Sequence, residues 1–262
     1  MLGAIVGDVV GSVWENRHFR AEPGFPLFIR GSRFTDDTIL TLAIAAALMN
    51  ASTTFEAEIR QAYHRAPVAG FGARFKQWIQ GTLKEPYVSW GNGSAMRVSS
   101  VGWMFESLEE TLVVARKSAL PTHSHPKGIQ GAEVTAGMIF LARQGASKED
   151  LKTFALEQGY PLQIDNAGFQ NQSVFLTSEF TVQAAILSFL TSDSFEDCIR
   201  KAVLDNGDTD TQAAIAGSIA EAFYGGVPPE MESQALPLLR PWMIEIIEKF
   251  KSELRRQSSG SS

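Results

Sequence analysis

The chain has 262 residues, 44% of them hydrophobic, and a formal net charge of -6 with no cluster of Lys or Arg to break the acidic balance. That length can bury a full core in what reads as one globular domain over residues 1–254, and the charge excludes an extended nucleic-acid or anionic-membrane surface while suiting a divalent cation. The longest apolar run, Ile39 to Met49, is too short for a bilayer, and the single cysteine, Cys198, excludes an intrachain disulfide, so a cytoplasmic protein is expected.

Helix-period apolar spacing recurs almost everywhere and alternating strand patterns are scarce, which predicts an all-α fold. Helices are expected over 1–14, 36–49, 53–65, 71–80, 94–105, 108–119, 127–144, 147–158, 179–191, 194–204, 209–224 and 229–254. In the first of them Gly3, Gly7 and Gly11 share one face, and we read them as packing glycines that admit a close backbone. The Ala-rich helices 42–47 and 213–222 are the natural partners. Glu15 ends this helix, where the dipole disfavours an acid, so its position indicates either use or plain solvent exposure.

Thr35-Asp36-Asp37-Thr38 follows a long polar loop and, taken alone, is an ordinary helix start. Trp90-Gly91-Asn92-Gly93-Ser94-Ala95-Met96-Arg97 is a glycine-rich turn into a helix. Outward amides there would suit a phosphate or diphosphate, although the run matches neither the P-loop nor the dinucleotide fingerprint and is equally a simple turn. Arg97, inside the helix, is expected in a structural ion pair. Thr122-His123-Ser124-His125-Pro126 places two of the four histidines in one loop, at a spacing that lets one ring face a pocket while the other packs or meets solvent.

The loop 159–178 carries no motif, and Cys198 sits in a helical pattern as a packed thiol. Asn206-Gly207-Asp208-Thr209-Asp210-Thr211 is again a turn and a cap when read alone. Residues 255–262 read as a flexible, low-complexity tail or an expression scar.

The two acidic runs gain meaning together. If they meet, four carboxylates converge, and at about 4 Å and an effective dielectric of about 20 each like-charge pair costs on the order of 4 kcal/mol. Two divalent cations would cancel four negative charges. The back run fails as a calcium EF-hand, since positions six and twelve counted from Asp205 are Asp210 and Ala216 instead of glycine and glutamate. It also fails as a haloacid-dehalogenase phosphatase motif, whose fifth residue would be Gln212 here. With no Cys or His beside the acids, the all-oxygen ligands select magnesium, manganese or calcium over zinc.

The ordered set Gly7-Asp8-x-x-Gly11-Ser12 with Glu15, Thr35 to Thr38, Gly91 to Arg97, Thr122 to Pro126 and Gly207 to Thr211 resembles the ADP-ribosylglycohydrolase family over roughly residues 1 to 225. The resemblance covers both the dinitrogen-reductase-activating glycohydrolases and the ADP-ribosyl-acceptor hydrolases. It implies an orthogonal multi-helix bundle with a binuclear magnesium or manganese centre in a cleft. Thr35, Asp36, Asp37, Asp208, Asp210 and Thr211 would be the metal ligands, and Gly91, Asn92, Gly93, Ser94 and His123 would contact ADP-ribose. Glu15, Asp36 and Asp210 would carry the catalysis, with Glu15 as a gate, ligand or acid/base.

Some relatives hold an acid just before the Gly-Asn-Gly run. Here that stretch is Val88-Ser89-Trp90, which gives Glu15 more weight. Asn206 replaces a common glycine, a change expected to be neutral, and the chain is short beside the family's animal members, which leaves acceptor specificity open. The implied activity is metal-dependent release of ADP-ribose from a protein side chain or related adduct by a protein expected to act as a monomer. The rival readings are a non-catalytic ADP-ribose-binding or crystallin-like relative and a metal-dependent nucleotide-diphosphate phosphohydrolase.

Overall fold

A computed structural model of the chain describes residues 1–15, 20–83, 87–163, 174–205 and 207–260. Its helices are α1 (Leu2–Gly11), α2 (Asp36–Leu48), α3 (Phe55–Arg65), α4 (Ala73–Ile79), α5 (Gly93–Met96), α6 (Val101–Met104), α7 (Leu108–Ala119), α8 (Pro126–Arg143), α9 (Lys148–Glu157), α10 (Ser178–Leu190), α11 (Phe195–Leu204), α12 (Thr209–Phe223), α13 (Pro229–Ala235) and α14 (Pro241–Gly260). No strand occurs among the described residues. Only two isolated bridges do, Val88 with His123 and Gly91 with Thr177.

Hydroxyl caps start many of these helices. Thr35, Thr54, Ser107, Ser147, Thr177 and Ser194 each accept a bond from an amide two or three residues on. Ser147 and Asp150 form a full capping box. The central helices α1, α2 and α12 are buried on nearly all sides, and one apolar cluster runs from Met1 to Phe250.

The glycine face of α1 lies on α12. A Cβ built on Gly7 would collide with the Ala213 carbonyl, and one on Gly11 would stand 2.5 Å from Asp210 Cα. Of the two expected partners, the 213–222 helix is the one these glycines meet. That approach determines the site, because it brings the end of α1 against the acidic start of α12, where Thr209 Oγ1 donates to the Gly11 carbonyl at 3.1 Å.

Two expected helices break. The segment 94–105 divides into α5 and α6 at Arg97-Val98-Ser99-Ser100, a poor helix-forming run whose arginine turns inward. The segment 229–254 divides at Pro237 and Pro241, which lack the amide a continuous helix needs. At the far end α14 continues to Gly260, and Gln257 Nε2 meets Met104 Sδ at 3.2 Å, so the stretch from 255 is helical where a flexible tail was expected. Residues 261 and 262 lie outside the described residues.

Candidate active site and metal centre

A cleft of about 360 Å³ opens where the starts of α2 and α12, the end of α1 and the turn before α5 converge. At one end stand Glu15, Asp36, Asp37, Asp208, Asp210 and Thr211. Ser89, Gly91, Gly93, Arg97 and His123 also line the cleft, and Asn92 stands between the two sets, against Asp208. The two acidic runs, about 170 residues apart in sequence, do meet. Tyr87 and His123 face each other at 6.2 Å between ring centres.

Carboxylate oxygens of Asp8, Asp37 and Asp210 lie within 4.8 Å of one another, as do those of Glu15, Asp208 and Asp210. Asp210 belongs to both groups. Asp36 lies on the cleft wall without joining either, its Oδ1 beside Gly70, where φ is +102° and an added Cβ would stand 2.9 Å from that oxygen. Only glycine suits that backbone and leaves the carboxylate room.

Asp8 was missed as a site residue, although an acid alone in the apolar run of α1 is a signal. It accepts four hydrogen bonds: Thr35 N at 2.9 Å, Thr35 Oγ1 at 2.7 Å, Thr38 N at 3.1 Å and Thr38 Oγ1. Three of those bonds fall on Oδ2 and one on Oδ1, so Asp8 orients the start of α2 while its Oδ1 keeps room for one further partner beside Asp37 and Asp210. Asp37 differs. Among the described residues its Oδ1 is buried with no partner, and its Oδ2 has only 3.4 Å approaches from Thr35 and Thr211 hydroxyls.

The electrostatics agree with a missing counter-charge. Burial, followed by neighbouring acids, holds Asp37 and Asp210 well above the ordinary carboxylate range. Asp36 is pushed up to about 8, again by burial first. Burial also raises Asp8 and Asp208, opposed by their hydrogen bonds. Glu15, on the solvent-exposed rim, is raised by desolvation on the cleft side and then by Asp208, with Arg33 opposing. Hard oxygen donors, one of them orphaned among the described residues, fit divalent metal ions, and Asp37, Asp208, Asp210, Thr211 and Glu15, with Asp8 beside them, are the groups that could hold them.

Not every expected residue reaches the cleft wall. Ser94 is fully buried and donates to the Gly128 carbonyl at 2.6 Å, and the Thr35 hydroxyl is engaged by Asp8. The glycine turn is also less open than its sequence suggests. Gly91 N donates to Ser89 Oγ and Asn92 N to the Leu176 carbonyl, so two of its amides are spent inside the chain. Leu176 itself lines the cleft, so the loop 159–178, which carries no motif, still contributes to the site.

His123 faces the cleft, with Nδ1 paired to Thr122 Oγ1 at 2.7 Å, while His125 caps α8 by accepting from Lys127 N. Burial first and Arg97 second hold the His123 pKa well below its usual value, so the ring is neutral. Among the described residues Arg97 makes no ion pair. It is fully buried, with Nη2 donating to the carbonyls of Ser118 at 2.8 Å and Ala119 at 3.4 Å.

A family model described as ADP-ribosylglycohydrolase matches residues 1–260. The chain belongs to the ADP-ribosylglycohydrolase family. It is 27% identical over 305 residues to the ADP-ribosylhydrolase ARH3 of Mus musculus, covering 86% of this chain and 82% of that one. It is 24% identical over 287 residues to the ADP-ribosyl-dinitrogen reductase glycohydrolase of Rhodospirillum rubrum, with 98% and 92% covered. Among solved structures, one titled ADP-ribosylglycohydrolase-related protein complex superposes with a TM-score of 0.65 at 27% identity over 90% of this chain and 94% of that one.

As a member of this family the chain is an enzyme, a hydrolase of ADP-ribosyl bonds, and the non-catalytic alternative is set aside. The all-helical fold is that of the ADP-ribosylglycohydrolase family. Among the described residues no helix is long and apolar enough to cross a membrane.

Proposed function

We propose that the protein hydrolyses the bond between C1 of the distal ribose and an acceptor atom in an ADP-ribosylated side chain or small adduct, using two magnesium or manganese ions. The observation that carries this reading is the convergence of Glu15, Asp37, Asp208 and Asp210 at one end of a cleft whose other end is formed by Gly91, Gly93 and His123. The likeness to hydrolases named for ADP-ribosyl substrates supports it. A reducing, cytoplasmic setting belongs to the same proposal, supported by the lone buried cysteine.

Asp37, Asp208 and Asp210, with Thr211 beside them, would hold the ions, and Asp8 would keep the start of α2 in place behind Asp37. The chemistry such ions supply when bound is orientation of the ribose diol, acidification of a water and stabilisation of charge near the scissile bond. The sugar passes through an oxocarbenium-like transition state, as in other glycosyl transfers. Glu15, its pKa raised by desolvation and then by Asp208, is placed to deliver a proton to the leaving acceptor or take one from water. Asn92 steadies Asp208 by donating from Nδ2 at 2.5 Å.

The test is a panel of defined ADP-ribosylated substrates assayed with magnesium and with chelator, with products resolved by mass. Free ADP-ribose and an unmodified acceptor, formed only with metal, are expected. AMP plus a ribose phosphate would instead point to diphosphate cleavage, and metal-independent turnover would remove the ions from the account.

A further inference from the structure

Among the described residues that line the cleft, Arg97 is the only Lys or Arg. It is 0% exposed, and among the described residues no acid pairs with it and its Nε and Nη1 are buried without hydrogen-bond partners. The carbonyl end of α7 meets one nitrogen only. Burial draws its pKa down to about 10, which still leaves a full positive charge at neutral pH. A buried cation without an anion costs folding free energy and is expected where a ligand supplies the partner. The neighbouring groups do not supply one. His123 is neutral, burial raises the Tyr87 phenol above its ordinary range and so keeps it protonated, and two amides of the Gly91 turn are already bonded.

The cleft is therefore bipolar, with acids at one end and one uncompensated guanidinium at the other. We propose that Arg97 is the counter-charge for the diphosphate of the ADP-ribosyl substrate and sets the preference for diphosphate-bearing ligands over uncharged nucleosides. This rests on the ADP-ribosyl reading of the cleft. The arginine that a sequence-level reading assigns to a structural ion pair is instead a binding residue whose partner arrives with the substrate. The free protein keeps the cation in place by tying Nη2 to α7, while Nε and Nη1 stay buried without a partner among the described residues, so a diphosphate reaches them by a shift of the neighbouring wall.

The test compares ADP-ribose, ADP and adenosine as ligands of the full chain with magnesium present, for the wild type and for Arg97→Gln, Arg97→Met and Arg97→Lys. Removing one charge-assisted contact to a phosphate predicts about a 10- to 100-fold loss of ADP-ribose and ADP affinity in the Gln and Met variants, with adenosine changed less than about twofold. The Gln and Met variants both give up the Nη2 bonds to the α7 carbonyls, so any loss of stability falls on all ligands alike and the ratio of ADP-ribose to adenosine affinity is the reading that decides. Lys should bind ADP-ribose several-fold better than Gln, a comparison that stands even if the Met variant fails to fold. Equal losses for ADP-ribose and adenosine, a Gln variant that binds ADP-ribose like wild type, or Lys no better than Gln would each overturn the assignment. A wild type that binds adenosine but neither ADP-ribose nor ADP would sink the ADP-ribosyl reading itself, and this inference with it.

Discussion

Asn92 Nδ2 donates to Asp208 Oδ2 at 2.5 Å, joining the glycine turn of the substrate end to the acids of the metal end across 116 residues of sequence. A second bond from the same nitrogen, 3.1 Å to Thr181 Oγ1, anchors the amide to α10. Removing such a partner from a ligating carboxylate loosens its orientation. Asn92→Ala should lower affinity for manganese by about 10- to 100-fold without changing helix content. Calorimetric titration alongside circular dichroism checks this, and unchanged affinity would detach Asn92 from the metal end.

Asp210 should separate activity from stability. It is buried, raised well above its ordinary pKa, and common to both carboxylate groups. Asp210→Asn should cut kcat/KM by at least about a hundredfold. The same change removes a repelled buried charge, so in chelator the variant should melt a few degrees higher than wild type, at about 2–4 °C per kcal/mol for a chain of this size. A variant that is both less active and less stable without metal would contradict this account of the site.

The pH dependence of the metal-free protein follows from the same acids. Asp36, Asp37 and Asp210 bind protons more tightly folded than unfolded, so stability falls as pH rises above the ordinary carboxylate range and continues to fall through the raised values, about 8 for Asp36. In chelator the Tm should therefore drop between about pH 5 and pH 8. Saturating magnesium should reverse the trend, since the ions need the ionised acids, and should add about 2.7 kcal/mol at a hundredfold excess over Kd. Calorimetric scans with and without metal measure both, and a Tm that rises with pH in chelator would refute the electrostatic picture.

Asp8 should behave as a structural acid. Asp8→Ala leaves the amides of Thr35 and Thr38 and two hydroxyls without their acceptor inside the protein. Each orphaned buried donor costs about 1–3 kcal/mol, so a loss of at least about 3 kcal/mol in urea unfolding is expected, the reverse of the Asp210→Asn effect. A stabilised Asp8→Ala variant would place Asp8 among the repelled acids instead.

Local chemistry made much of the molecule legible. The Thr35 cap, the small-residue face of α1 and the two acidic runs depend on residues a few positions apart, where spacing dictates geometry. Pairings between distant elements were not legible. The expected helix 94–105 breaks because Arg97 reaches carbonyls of α7. Ser94 looks like a cleft residue until the Gly128 carbonyl of α8 claims its hydroxyl, and Leu176 looks unused until its carbonyl receives Asn92 N.

By itself the sequence determined an all-helical chain, membership in the ADP-ribosylglycohydrolase family and the two segments that supply the acids, because periodicity, capping and ordered motifs are written in neighbouring residues. Only the tertiary structure decided which acids share a group, that Asp8 is held by four donors while Asp37 Oδ1 has no partner among the described residues, and that Arg97 meets no acid among them. Those outcomes depend on burial and on which groups face one another once α1, α2, α5 and α12 have packed, and a free lone pair or an unpaired charge exists only after every neighbour has taken its place.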